Sequence, residues 1–402
     1  MWLGCTHSIP RIDGGEMAHR FIRTSNQRRI FSMLKRLAVL FAVLALVAAA
    51  CGGSDGGDTT TTAGETDGGD TGQETGGSTL EAVQARGQLI CGVSGTAVGF
   101  SETLADGSTT GFDADYCRAV AAAVLGDSEA IEFRALTAAE RFEALKNNEI
   151  DVLIRNTTWT QSRDTDIGMQ FVATTFYDGQ QLMGNPATLP GLTADSGFEA
   201  IDGATVCTNA GTTTEKNITE GAAVNGVTIT LETVETFPEA MEKFKAGTCD
   251  LVTTDGSGLF GNRAAEAAAG TDGASEWVIF PSSPISKEPL GPVVRQNDDQ
   301  WMDIVQWAVF ATFIADEQGV TSANVGDTME NTPELSRLFG GEGELQTSMG
   351  LSADAFLNVI KQVGNYGEIY DRNLEGPLDL KREGSFNMQW FNGGLIYAPP
   401  AR

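Results

Sequence analysis

Apolar and polar residues follow one another along the chain in blocks that predict strands and helices in turn. A short apolar strand is expected at 88–93, and 112–125 has the apolar spacing of a helix that buries one face. A helix at 138–147 and a strand at 151–154 complete a first unit. Strands that alternate with helices indicate stacked α/β layers.

A second stretch of sequence repeats this order. It predicts a strand at 204–207, a helix at 212–222 and strands at 227–234 and 250–253. A shift of 99 residues superposes Lys146 on Lys245 and Asp151 on Asp250. The repetition favours two similar lobes, with chance agreement between two βαβ units as the alternative.

Polar residues stand where a strand of each unit ends. The stretch 155–158 reads Arg-Asn-Thr-Thr in the first unit, and Thr254 and Asp255 follow the last strand of the second. Ligands of open α/β sheets bind beyond the carboxyl ends of the strands. We therefore expect these groups to line a cleft between the lobes.

The N-terminal part of the chain carries an export signal. After a basic start at Met33, an apolar run at 37–50 ends in alanines and is followed by Cys51. Such a run is too short to span a membrane and is typical of a secretory signal peptide, and the cysteine boundary resembles a bacterial lipoprotein cleavage site. We expect a lipoprotein signal peptide at 33–50, a lipid on Cys51 and an untranslated or unstructured preface at 1–32. An ordinary secreted protein is the alternative.

Composition predicts a tether after Cys51 and excludes several functions. Residues 51–78 are rich in Gly, Thr and acidic residues and contain no aromatic side chain, so they lack the apolar surface that folding requires. The formal net charge of the whole chain is −28, which opposes binding to nucleic acid. The only histidines, His7 and His19, precede the signal peptide. The mature protein therefore cannot form a His-dependent catalytic triad or a His-ligated metal site, and we expect no metal and no cofactor.

Four further cysteines follow the tether: Cys91, Cys117, Cys207 and Cys249. An even number in an exported protein indicates disulfide bonds, and four cysteines permit three pairings. We favour Cys91 with Cys117 and Cys207 with Cys249, because a bond between the lobes would lock any hinge.

Seven short stretches carry a resemblance to a known family. They are LICGVS (89–94), GFDADYCRAV (111–120), RNTTWT (155–160), GTTTE (211–215), TTD (253–255), SKEPLGP (286–292) and VGNYGEIY (363–370). In this order they resemble the polar amino-acid solute-binding proteins of ABC transporters, especially the general L-amino-acid-binding type.

The resemblance implies a two-lobe α/β fold of the periplasmic-binding-protein type II class. Two crossing hinge strands would join the lobes near 176–183 and 289–294. Lobe 1 would comprise 79–180 and 290–402, and lobe 2 would comprise 181–289.

The resemblance also implies which residues bind a free amino acid. Arg163 would grip the α-carboxylate, since a guanidinium fork matches a carboxylate, and Asp255 on the second lobe would take the α-ammonium. An ion pair of Arg163 with a neighbouring aspartate and a helix-capping role for Asp255 are the plainer alternatives. Thr158, Thr212 and Thr213 are expected to be hydroxyl and backbone donors to the carboxylate, or else plain caps.

The side-chain end of the ligand is less well specified. Where relatives place an aromatic ring over the ligand this chain has Ala97, which leaves Phe100 or Trp159 as candidates. Ser94 stands where some relatives have an acid for the ammonium, so more of that role would fall to Asp255.

These residues predict a transport protein rather than an enzyme. We expect an extracytoplasmic lipoprotein, in the periplasm or on the outer face of the cell membrane, that passes L-amino acids to the permease of an ABC transporter. Polar or acidic ligands such as glutamate, glutamine and aspartate are expected, over a narrow or a broad range. The protein is expected to be a monomer that binds no nucleic acid and is held at the membrane only by its lipid. A ligand-sensing subunit and an extracytoplasmic dehydratase or lyase on the same fold are the alternatives.

Overall fold

The computed structural model describes residues 78–340 and 343–402. The predicted preface, the signal peptide, Cys51 and linker residues 51–77 lie outside the described residues. The strands are β1 Leu89–Val93, β2 Thr96–Ala97, β3 Ser101–Thr103, β4 Thr109–Thr110, β5 Ile131–Ala135, β6 Val152–Leu153, β7 Met169–Phe171, β8 Phe176–Asp178, β9 Gln180–Gly184, β10 Thr205–Asn209, β11 Thr230–Val234, β12 Leu251–Asp255, β13 Val278–Phe280, β14 Glu288–Leu290 and β15 Val293–Arg295. The α-helices are α1 Thr79–Arg86, α2 Phe112–Leu125, α3 Arg141–Lys146, α4 Gln161–Thr165, α5 Thr213–Asn225, α6 Phe237–Lys245, α7 Gly256–Ala268, α8 Asp299–Glu317, α9 Val325–Thr328, α10 Pro333–Phe339, α11 Glu344–Ser348, α12 Ala355–Gln362, α13 Tyr366–Tyr370 and α14 Gly376–Leu378.

The first lobe is built on a five-stranded sheet of order β5-β1-β6-β15-β7. Strands β5, β1 and β6 are parallel, and β15 is antiparallel to both β6 and β7. Helix α2 packs on β1 and has its predicted bounds, because its apolar residues are buried and it ends at Gly126, whose φ of 74° suits glycine. Helices α8 and α12 pack on α2. The C-terminal part of the chain thus belongs to the core of the first lobe.

The second lobe repeats this arrangement in the sheet β11-β10-β12-β9-β13. Strand β10 is parallel to β11 and β12, and β9 is antiparallel to β12 and β13. Helices α3 and α6 end at Lys146 and Lys245, the residues that the sequence shift superposes. Asp151 and Asp250 each accept a hydrogen bond from a backbone N–H of β1 or β10, with N to O distances of 2.7 and 2.8 Å. The internal repeat therefore has a structural counterpart.

Two segments of chain cross between the sheets side by side. Strand β8 pairs antiparallel with β14, which places Phe176 opposite Leu290 and Asp178 opposite Glu288. Strand β8 is followed by β9 of the second sheet, and β14 by β15 of the first. This is the two-lobe α/β architecture with two crossing strands that the sequence predicted. The first sheet takes its strands from 89–171 and 293–295, and the second from 180–280.

Both predicted disulfides are present, and each lies within one lobe. Cys91 in β1 is bonded to Cys117 in α2, and Cys207 in β10 is bonded to Cys249 just before β12. Each bond therefore ties a lobe together without restraining the hinge.

None of the helices in residues 78–340 and 343–402 combines the length and the apolar character needed to span a membrane.

Candidate ligand-binding cleft

A cleft of about 300 Å³ lies between the two lobes. Its first-lobe wall includes Ser94, Phe100, Arg141, Arg155, Asn156, Thr158 and Arg163, and its second-lobe wall includes Asn209, Thr212, Thr213, Asp255 and Ser257. Strands β6, β10 and β12 end beside it. This is the position expected for a ligand site in open α/β sheets.

Arg163 is buried in the first-lobe wall. Helix α4 begins after Thr160, whose hydroxyl accepts a hydrogen bond from the Arg163 backbone N–H. The Arg163 side chain donates from Nη1 to the Thr158 carbonyl (2.8 Å), and its guanidinium lies 5.4 Å from the centroid of the Phe142 ring. Within the described residues it forms no ion pair with Asp164 or Asp166, so the plainer alternative does not apply. The other N–H groups of the guanidinium remain available to a ligand carboxylate.

The electrostatic surroundings of Arg163 prepare it for an anion. Burial lowers the pKa of Arg163, and the nearby carboxylates of Glu288 and Asp255 oppose that shift. Arginine stays charged in proteins, so the guanidinium can meet a ligand carboxylate.

Asp255 faces the cleft from the second lobe, at the end of β12. It stands at the N-cap position of α7, but its side chain makes no capping hydrogen bond, so the capping alternative does not describe it. Burial raises the pKa of Asp255 well above its usual range, the carboxylates of Asp178 and Glu288 add to that rise, and Arg163 and Arg141 oppose it. A ligand ammonium placed here would favour the charged carboxylate.

The three predicted threonines offer different groups to a ligand. The Thr212 hydroxyl caps α5, where it accepts from a backbone N–H (3.1 Å) and donates to a backbone carbonyl (2.7 Å). The Thr213 hydroxyl donates to Glu288 Oε2 (2.9 Å), and Thr158 Oγ1 lies 3.3 Å from Thr213 Oγ1. The hydroxyls of Thr212 and Thr213 are therefore already donating within the protein. What the start of α5 offers an anion is its backbone N–H groups.

The aromatic candidates are not equivalent. Phe100 lines the cleft, and its ring packs edge-on against Phe112 and Phe176 at 5.9 and 5.2 Å between centroids. Trp159 does not line the cleft: it is 39 % exposed and stacks on Phe171. Neighbouring residues of an extended segment point to opposite sides, so Thr158 in the cleft directs Trp159 away from it. The expectation of Trp159 as a ring over the ligand is corrected accordingly.

Ser94 lies in the cleft at the end of β1. Its Oγ is 3.3 Å from Thr96 Oγ1, and its backbone N–H donates to Ser101 Oγ (3.1 Å). A neutral hydroxyl here leaves Asp255 as the carboxylate among the predicted site residues that can meet an ammonium.

Arg141 was missed by the sequence reasoning. It is the first residue of α3, which begins at 141 rather than 138; residues 138–140 form a turn, and Thr137 and Glu140 exchange hydrogen bonds across it. Arg141 is 2 % exposed, its guanidinium lies 4.9 Å from the Phe142 ring centroid, and its buried Nε has no hydrogen-bond partner among the described residues. An arginine that shares the buried face of a helix with Phe142 was the signal available in the sequence.

The charges of the cleft are divided between its sides. Burial, followed by the proximity of Arg163, lowers the pKa of Arg141 well below its usual range, and burial lowers the pKa of Arg155 to about 10. On the hinge strands, burial raises the pKa of Asp178 to about 6. The guanidinium groups of Arg141, Arg155 and Arg163 thus lie on the first-lobe side, where Glu140 is also present, and the carboxyl groups of Asp255 and Asp178 lie on the second-lobe and hinge side. A zwitterion with an additional anionic or polar end matches this distribution.

Residues 89–318 match the family of bacterial extracellular solute-binding proteins, family 3. The chain belongs to this family. The sequence-based resemblance is thereby confirmed, and the two-lobe type II fold with it.

Relatives in this family cover most of the chain. The glutamate/glutamine/aspartate/asparagine-binding protein BztA of Rhodobacter capsulatus is 44% identical over 327 residues, which are 81% of this chain and 94% of that protein. The general L-amino acid-binding periplasmic protein AapJ of Rhizobium johnstonii is 44% identical over 328 residues, which are 81% of this chain and 93% of that protein. A periplasmic binding protein of an ABC transporter from Brucella ovis, solved with glutathione bound, is 42% identical with a TM-score of 0.75, and the match covers 81% of this chain and 100% of that one. These are names of binding proteins, in agreement with the prediction that the chain is not an enzyme.

Proposed function

We propose that this protein captures polar and acidic L-amino acids outside the cytoplasm and delivers them to the permease of an ABC transporter. The observation that carries the proposal is the pair Arg163 and Asp255, which face one cleft from opposite lobes with a guanidinium and a carboxyl group available to a ligand. The names of the relatives from Rhodobacter capsulatus and Rhizobium johnstonii support it.

The α-carboxylate and α-ammonium of an amino acid match this pair. The carboxylate would accept hydrogen bonds from Arg163 and from backbone N–H groups at the start of α5, and Asp255 would accept from the ammonium. Burying either charge of a zwitterion without a partner is costly. A cleft that supplies both partners therefore selects free α-amino acids over simple amines or acids.

Arg141 supports a preference for polar and acidic side chains. Its guanidinium has only donors to offer, and its buried Nε has no hydrogen-bond partner among the described residues. A side-chain carboxylate or amide carbonyl could accept from it, whereas an apolar side chain would leave it buried and unpaired. Glutamate, glutamine, aspartate and asparagine are the expected ligands.

A γ-glutamyl peptide such as glutathione is a second candidate ligand. The observation that favours it is the Brucella ovis structure, whose bound molecule is glutathione. The γ-glutamyl group of glutathione keeps a free α-carboxylate and a free α-ammonium, so the same two residues could bind it.

The N-terminal sequence supports export and anchoring. The apolar run at 37–50 followed by Cys51 is the pattern of a lipoprotein signal. A lipid on Cys51 and the Gly-rich tether would hold the binding domain beside a membrane permease. Labelling cells with a radioactive fatty acid should mark the wild-type protein and leave Cys51→Ser unlabelled; equal labelling of both would refute the anchor.

The ligand class is tested by a thermal-shift screen of the twenty amino acids and glutathione, followed by calorimetry. A ligand that binds only the folded state raises its melting temperature, so glutamate, glutamine, aspartate and asparagine should give the largest shifts. Asp255→Asn should weaken glutamate strongly and glutarate, which lacks the amine, much less. If neither amino acids nor glutathione change the melting temperature, the proposal is wrong.

A further inference from the structure

Glu288 lies in the motif 286–292, at the hinge between the lobes. It is 1 % exposed and belongs to the crossing strand β14. Its carboxylate accepts hydrogen bonds from Thr213 Oγ1 (2.9 Å), Asn217 Nδ2 (2.8 Å) and Ser286 Oγ (2.6 Å). A carboxylate is an acceptor only, so the direction of each of these bonds is fixed.

Two of these bonds connect the hinge to the second lobe. Thr213 is the first residue of α5, and Asn217 lies about one turn further along the same helix. Both donate to one side chain of β14, which is itself paired with β8. The N-terminal turn of α5 and the crossing strands are therefore joined through the Glu288 carboxylate.

The connection continues into the first lobe. Because Thr213 gives its proton to Glu288, Thr158 must be the donor in the 3.3 Å contact between the two threonine hydroxyls. The carbonyl of Thr158 in turn accepts from Arg163 Nη1 (2.8 Å). A chain of polar contacts thus runs from Arg163 through both threonines to the hinge.

We propose that Glu288 is a positioning residue for ligand binding, which holds the start of α5 and the Thr213 hydroxyl in the arrangement that joins the closed lobes. Glu288 does not touch the ligand in this scheme. It fixes α5, whose N–H groups would meet the α-carboxylate, to a strand that crosses between the lobes. The inference rests on the proposed function, because these polar contacts influence ligand binding only if a carboxylate binds beside Arg163 and Thr158.

Loss of the Glu288 charge should chiefly shorten the lifetime of the complex. Glu288→Gln keeps the size of the side chain. It no longer fixes which group donates and which accepts in the hydrogen bonds that join Thr158, Thr213 and position 288. We expect dissociation of L-glutamate, measured by stopped-flow, to become about tenfold faster with little change in association, as is usual for contacts that stabilise a bound state.

A double-mutant cycle with Thr158→Val separates positioning from ordinary stabilisation. Residues without shared partners have additive effects, and residues in one network do not. If Glu288 acts through Thr213 on Thr158, Thr158→Val should accelerate dissociation much less in the Glu288→Gln protein than in the wild type. Ser286→Ala is the matched control. It removes a hydrogen bond to the same carboxylate, but Ser286 is not one of the residues that connect Arg163 to Glu288, so its effect should add to that of Thr158→Val.

Thr213 provides a test that leaves Glu288 in place. Thr213→Ser retains the hydroxyl and should dissociate at close to the wild-type rate, whereas the isosteric Thr213→Val should resemble Glu288→Gln. Additive effects in the Glu288–Thr158 cycle, or equal dissociation rates for the two Thr213 variants, would overturn the positioning role while leaving amino-acid binding intact. Failure of the wild type to bind any amino acid would overturn the proposed function and this inference together.

Discussion

Arg141 allows a prediction about ligand choice that can be worked out from its surroundings. The replacement Arg141→Gln removes a buried guanidinium that has no hydrogen-bond partner at Nε and that lies near the charges of Arg163 and Arg155. Arg141 is in none of the ion pairs among the described residues, so the change breaks none of them. The liganded protein loses the group that we expect to meet the ligand side chain.

The size of the effect follows from the kind of hydrogen bond lost. The guanidinium is charged, so its hydrogen bond to either ligand contributes roughly 1.5–3 kcal/mol, and with glutamate the attraction between opposite charges adds to this. At about 1.4 kcal/mol for each factor of ten, the affinity for glutamine should fall roughly 10- to 150-fold, and that for glutamate should fall further. The ratio of the two affinities should therefore shift toward glutamine.

Calorimetric titration of both amino acids into wild type and Arg141→Gln measures this ratio. Arg263→Gln is the matched control, because Arg263 lies in α7 outside the cleft, where it donates to the Trp277 carbonyl (3.0 Å). The control should keep the wild-type ratio. An unchanged ratio in Arg141→Gln, or equal losses for glutamate and glutamine, would refute the assignment of Arg141 to the side-chain end of the ligand.

The remaining predictions concern the α-groups, protonation, the disulfides and closure. Arg163→Ala should weaken all amino-acid ligands by about tenfold to a hundredfold, and Arg163→Lys should recover little because a point charge lacks the fork; wild-type affinity of either variant in calorimetry would contradict this. The ligand ammonium should lower the raised pKa of Asp255, so binding releases a proton and affinity rises with pH between the usual carboxylate range and that raised pKa. Calorimetry in buffers of different ionisation enthalpy counts the protons, and a release that persists in Asp255→Asn would exclude Asp255 as their source. Loss of the Cys207–Cys249 bond, which closes a separation of 42 residues, should cost about 2–4 kcal/mol of unfolding free energy in denaturant titrations without abolishing glutamate binding; an unchanged midpoint would show that the bond does not form. Small-angle scattering should give a smaller radius of gyration with saturating glutamate, and an identical profile would argue against hinge closure.

Local sequence patterns were sufficient for the elements whose signals lie within a few residues. Helix α2 has its predicted bounds because its apolar spacing and Gly126 act locally. Strand β5 was not predicted, since its residues alternate between half-buried and exposed positions and its place is set by pairing with β1. For the C-terminal segment, local patterns did not predict the packing of Tyr366 and Tyr370 on Phe112, because these contacts join residues far apart in the sequence.

The sequence by itself determined which chemical groups the cleft could contain. The family resemblance indicated Arg163 and Asp255, and both line the cleft. The spacing of the cysteines and the need for a movable hinge were enough to select the two disulfide pairs, because those arguments concern residue types and order along the chain.

Tertiary structure alone decided which of those groups are free. The Thr213 hydroxyl donates to a residue 75 positions further on, and Trp159 lies outside the cleft, with its backbone N–H bonded to Pro289 of β14. Arg141 is buried, and its Nε has no hydrogen-bond partner in the part of the chain that the structure describes. A hydrogen bond forms only when donor and acceptor come within about 3 Å. That proximity arises from the packing of two lobes and a hinge whose residues are distant in sequence. Local sequence patterns therefore cannot predict it.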